Sequence, residues 1–178
     1  DLIVSRGLGD VYKRQFPWLS LIVLLPIVGA LIMPFLPTQE SKNSNLPRNI
    51  ALVILLADFL IVVLAFANLF DPSSESLQLV ERLQWLPSIG LEWSLGVDGI
   101  SAPLVVLSGL ITFLSAAASW KVKQKTRLYF ALLLIQASAQ ALVFLSQDFL
   151  LFFLAWELEL VPVLSLIHIS EPTRHDQI

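Results

Sequence analysis

The sequence predicts an all-α, polytopic transmembrane helical bundle of about five membrane helices. Three observations carry that reading. Hydrophobic residues make up 56% of the chain, and its mean hydropathy is +0.78. Charged residues make up only 14%, against about 25% in soluble domains. The apolar residues gather in five runs, and most of the charges lie between them or at the ends. In lipid only helices and closed barrels satisfy their own backbone. These runs are too long and too uniformly apolar for barrel strands, which alternate over about ten residues.

A spanning helix needs about 20 apolar residues. The first candidate is 16–36, which contains Pro17, Pro26 and Pro34. Proline is tolerated in membrane helices because neighbours satisfy the freed carbonyls, and a kink is expected at Pro26. A polar loop, 38–48, leads to the second candidate, 50–70, which is interrupted by Asp58. The segment 71–101 is too charged to span. Its Trp85, Trp93, Pro87, Gly90, Gly96 and Gly99 predict short extended pieces and turns at the interface, where tryptophans anchor.

The third candidate is 102–119, where Ser108, Thr112, Ser115 and Ser119 recur at helical spacing. That pattern reads as a small-residue packing seam. The fourth, 128–145, carries Gln136 and Gln140 one turn apart, a pattern for hydrogen bonding between helices. The fifth is 149–164. Together these make one membrane unit, 16–164.

The charges orient the bundle. Lys42 and Arg48 lie in the first loop, and Lys121, Lys123, Lys125 and Arg127 crowd the third. The loop between the second and third spans holds Arg82 beside five acids, Asp71, Glu75, Glu81, Glu92 and Asp98. Lysine and arginine in short loops mark the cytoplasmic side or its equivalent. The acidic loop and Asp148 are therefore expected on the opposite side.

The two ends differ from the middle. Residues 1–15 and 165–178 hold eight of the 25 charged residues and both histidines, His168 and His175. The first stretch lacks the apolar run and small-residue cleavage site of a secretory signal. Both are similar to translated sequencing-adaptor read-through, with VYKRQ and SLIHISEPTR the telling pieces. They are expected to be an artefactual leader and tail that make few packing contacts, so they carry no functional argument.

Net charge −3 gives no reason to expect a nucleic-acid partner, and the absence of cysteine removes disulfides and cysteine-ligated metal sites. No glycine-rich nucleotide loop is present. Three acids inside apolar runs remain: Glu157, Glu159 and Asp58. An ionised carboxylate at the bilayer centre costs about 2.5–3.5 kcal/mol on insertion scales, and such residues usually face a polar cavity and move or bind ions. Glu157 and Glu159 stand about 200° apart around a helix, so one cavity receives only one of them directly. Depth favours Glu157, roughly 13.5 Å beyond Asp148. Pro162 has no N–H for the Leu158 carbonyl, which leaves a polar spot near both carboxylates. Glu157 is the candidate proton-transfer group. Glu159 is the weaker candidate and reads as a packing contact with a partner polypeptide. Asp58 reads as a buried hydrogen-bonding residue.

Three strings then combine: GVDGIS at 96–101, KTRLYFALLLIQASAQ at 125–140 and SQDFLLFFLAWELELVPV at 146–163. Together they resemble the chain 4 family of NAD(P)H–quinone oxidoreductase, the antiporter-like subunits of complex I, and WELELVPV is most similar to the cyanobacterial and plastid form. The resemblance implies that the chain is an N-terminal fragment of a larger antiporter-like fold. It implies a proton-translocating membrane-arm subunit in a bacterial cytoplasmic membrane or a thylakoid, and it places the family's key glutamate at Glu157. That glutamate's lysine partner, two helices downstream, is not in this sequence. The resemblance also implies other membrane subunits of complex I and the lipid bilayer as partners. No cofactor is expected in this chain: NAD(P)H or ferredoxin oxidation and quinone reduction belong to the whole complex. Two alternative functions stand beside it, a subunit of a multisubunit sodium/proton antiporter and a non-transporting structural membrane subunit.

Overall fold

The computed structural model describes residues 16–36, 45–74, 76–119, 122 and 125–170, with the side chains of 168–170 left aside. Five helices long and apolar enough to cross a membrane are present among them. They are α1 (Trp18–Ile32), α2 (Leu46–Leu69), α3 (Ser101–Ala118), α4 (Thr126–Leu145) and α5 (Phe149–Ser170). Between α2 and α3 lies an antiparallel hairpin, β1 (Gln78–Leu86) and β2 (Leu91–Val97).

The bounds differ from the expected ones for local reasons. The first run is α-helical from Trp18 to Ile32, passes through Pro26 without interruption, and tightens to a 3-10 turn at Met33–Phe35. α2 starts at Leu46, ahead of the apolar run, because Pro47 suits a first helical turn where its missing N–H costs nothing. α5 does not stop at Leu164 but runs on to Ser170, past Pro162 and into the string set apart as a tail. Within that string Leu166 packs against buried residues of the core. Residues 1–15 and 171–178, with Lys42, Glu75, Lys121 and Lys123, lie outside the described residues.

α4 is the centre of the bundle. It packs against α1, α2, α3 and α5, and half of its residues are buried. Phe130, Leu134 and Leu145 are almost wholly enclosed, and the Ser138 hydroxyl donates to the Val23 carbonyl of α1. Close approach of α1 to α2 rests on Gly29, where a Cβ would come within 2.7 Å of Ile54 Cδ1; small residues let membrane helices meet in this way. α5 is the least enclosed helix. It leans on α4 and β2, and few of its described residues are buried.

The hairpin pairs Leu83 with Trp93 and Leu86 with Leu91, with irregular register on either side of the stretch 81–84. Its turn is a 3-10 piece, Pro87–Ile89, closed by Gly90 at φ +73°, a left-handed conformation that suits glycine. One end of the bundle carries the hairpin. Pro17 caps α1 with no side chain of its own, and the Glu81 carboxylate of β1 serves instead, accepting from the Leu19 and Ser20 amides at 2.8 and 3.0 Å and from the Ser20 hydroxyl. Trp93 Nε1 donates to Ser20 Oγ at 2.9 Å. β2 is tied to the α4–α5 turn by a Leu95–Ser146 bridge and by the Gln147 amide, which donates to the Ser94 carbonyl at 2.7 Å.

Candidate functional site

Acids at the hairpin end have local work. Asp98 Oδ1 accepts from the Ile100 and Ser101 amides at 3.0 and 2.7 Å, and the Asp98 amide donates to Ser101 Oγ at 3.0 Å. The VDG…S string is thus the N-terminal cap of α3. The Ser101 amide, first among these bonds, holds the Asp98 carboxyl below its ordinary value of 3.8. Asp148 Oδ1 accepts from the Leu151 amide at 2.8 Å and caps α5. Together with Glu81 on α1, each odd-numbered helix begins at this end with a carboxylate on its unpaired N–H groups, where the helix dipole favours negative charge.

Within the bundle the three candidate acids occupy three different settings. Glu159 is half-buried and turned inward, and its Oε1 accepts from Gln136 Nε2 of α4 at 2.9 Å. Gln136 therefore makes the interhelical bond its spacing predicts, and its partner is an acid. Glu157 is exposed, on the far side of α5 from α4. Its neighbours one turn away are Phe153, Leu154, Leu160 and Val161, all apolar and all exposed. Among the described residues nothing bonds to its carboxylate. The structure therefore separates the two glutamates rather than bringing them to one cavity, as their angular spacing requires.

Asp58 is buried at the middle of α2, 6% exposed. It does not make the hydrogen bond expected of it, since Oδ1 has no partner among the described residues. Its cavity faces Ser108 and Thr112 of α3. The serine–threonine seam is only half a packing seam: Ser108 and Thr112 are buried, whereas Ser115 is exposed. The seam's hydroxyls bond back to carbonyls of their own helix, and Ser119 also meets the Tyr129 hydroxyl at 2.8 Å. A separate apolar cleft of about 620 Å³ lies between α1, the hairpin and α5, and neither Glu157 nor Glu159 lines it.

Residues 21–146 match the family model described as NADH-ubiquinone oxidoreductase chain 4, amino terminus. The chain belongs to that family. Among curated relatives, NAD(P)H-quinone oxidoreductase chain 4 of Prochlorococcus marinus (strain NATL1A) is 53% identical over 152 residues, 85% of this chain and 28% of the relative. The chain 4 protein of Synechococcus sp. (strain WH7803) is 52% identical over 166 residues, 93% of this chain and 29% of the relative. A match of that length takes in Glu157 wherever it begins, and it extends beyond 16–164 into the flanking strings. The chain spans under a third of the length of these relatives. Its fold is similar to a chain of respiratory complex I from Thermus thermophilus with bound NADH, with a TM-score of 0.67 and 25% identity over 83% of this chain and 28% of that one. The archaeal membrane-bound sulfane sulfur reductase shares the fold with a TM-score of 0.66 at 17% identity, over 89% of this chain and 24% of that one. This chain 4 family member is an integral membrane protein, and its fold is that of the complex I membrane subunits.

Proposed function

We propose that this segment is the amino-terminal part of a proton-translocating membrane-arm subunit of NAD(P)H–quinone oxidoreductase, and that Glu157 is its proton-transfer group. The observation that carries the reading is the position of Glu157, one carboxylate on the exposed, otherwise apolar face of α5. Left against lipid, its charge would cost about 2.5–3.5 kcal/mol. A covering polypeptide with a basic partner removes that cost and makes a pair able to pass a proton between them. Loading the carboxylate leaves it neutral. Release to the partner restores the charge, and the pair re-forms.

The unpaired Leu158 carbonyl left by Pro162 lies one residue from Glu157 and gives water a polar foothold there. Glu159, held by Gln136, keeps α5 in register with α4. NAD(P)H or ferredoxin is oxidised and quinone reduced in other subunits, whose contact with this one transmits the driving force. The chain itself offers no cysteine to ligate a redox centre.

Proton uptake by vesicles bearing the full-length protein in its complex tests the assignment. Uptake should begin with electron donor and quinone and stop when either is withheld. A gradient exchanged for sodium without quinone reduction would assign the protein to the sodium/proton antiporters instead.

A further inference from the structure

The cavity beside Asp58 has a chemistry of its own. It lies where α2 meets α1, α3 and α4, and its volume is about 10 Å³. Its polar side chains are Asp58, Ser108 and Thr112; the rest of its lining is aliphatic or glycine. Ser108 Oγ donates to the Val105 carbonyl at 2.9 Å, and Thr112 Oγ1 donates to the Ser108 carbonyl at 2.8 Å. A hydroxyl that has given its hydrogen to its own helix has only lone pairs left to offer. The cavity thus holds carboxyl and hydroxyl oxygens and no side-chain donor.

That inventory decides what fits. An ionised carboxylate needs donors or a cation, and uncompensated burial of such a charge costs several kcal/mol. Three side chains fall short of the six to eight oxygens a cation such as calcium takes. A proton on Asp58 supplies one hydrogen and a water supplies two more. About 10 Å³ is the smallest space that holds a single water. No lining residue other than Asp58 titrates, whether on α1, α3 or α4, and α5 contributes no lining residue, so neither Glu157 nor Glu159 shares the site.

We propose that Asp58, Ser108 and Thr112 form a buried proton-and-water site, with Asp58 a neutral acid linked through one water to the two hydroxyl oxygens. It is separate from the Glu157 face and stands whether or not Glu157 moves protons.

Infrared spectroscopy of the full-length protein in its membrane tests this, comparing wild type, Asp58→Asn and Thr112→Val in light and heavy water. Asp58→Asn should remove one protonated-carboxyl C=O band, a band that shifts down in heavy water in the wild type. Thr112→Val removes a hydroxyl acceptor, keeps the side chain's shape, and should move the same band to higher frequency as its hydrogen bond weakens. If Asp58→Asn does not assemble, the Thr112→Val shift alone decides. Loss of an ionised-carboxylate band in Asp58→Asn, or a protonated-carboxyl band unmoved by Thr112→Val, would overturn the proposal.

Discussion

Gln136 Nε2 on α4 donates to Glu159 Oε1 on α5 at 2.9 Å, and this contact fixes which way Glu157 faces. Two residues along a helix turn by about 200°. Once Glu159 is tied to the bundle centre, Glu157 must point out of it, onto the apolar surface of α5.

The Gln136–Glu159 bond should prove structural. Gln136→Leu leaves a half-buried carboxylate without its donor and should lower stability by about 1–3 kcal/mol. Glu159→Gln preserves shape and an acceptor, and should cost less than half as much. Thermal unfolding of the purified full-length protein in detergent measures both. Equal losses in the two variants would show that the carboxylate charge, not the bond, holds the helices.

Glu81 should be the cap of α1 although it lies more than 60 residues away in sequence. Glu81→Ala frees the first-turn amides and should cost about 1–2 kcal/mol, the range found for lost caps. Faster hydrogen exchange at Leu19 and Ser20, with the rest of α1 unchanged, is the expected sign. Unchanged exchange at both amides would remove Glu81 from the role.

The α3 cap should depend on pH. Asp98 is lowered from 3.8 chiefly by the Ser101 amide bond, with the Ile100 amide and the Ser101 hydroxyl helping. A carboxyl lowered on folding contributes stability that is fully present above its unfolded value and lost as pH falls through its folded one. Exchange at Ile100 and Ser101 should therefore quicken only below about pH 4, and that step should vanish in Asp98→Asn.

Much of this was legible in the sequence. Five apolar runs of membrane length gave five helices because hydropathy alone decides what enters lipid. The Gln136 face and the opposed directions of Glu157 and Glu159 followed from helical spacing. The hairpin was visible as turns and tryptophans, but its register was not, since it depends on Glu81 reaching α1 and Gln147 reaching Ser94 across long separations. Helix ends were misplaced at Pro47, where a proline starts a helix, and at Leu164, where the span was ended because the string after it was set apart, although that string is apolar enough to carry the helix on. Asp58 was found as a buried acid, but its neighbours were not. The signal was present in the Ser108–Thr112 spacing on α3, yet nothing in α2 says which face of α3 it meets.

If Glu157 carries the proton, Glu157→Gln in the full-length protein should abolish the transfer. Glutamine keeps shape and hydrogen bonds but cannot titrate. The measurement is proton uptake by vesicles during quinone reduction, with subunit content checked by blotting and Glu159→Gln run alongside. The Glu157→Gln complex should assemble and lose most of its uptake, while Glu159→Gln should keep most of its own. Wild-type uptake by an assembled Glu157→Gln complex would contradict it and leave Glu157 as a structural carboxylate.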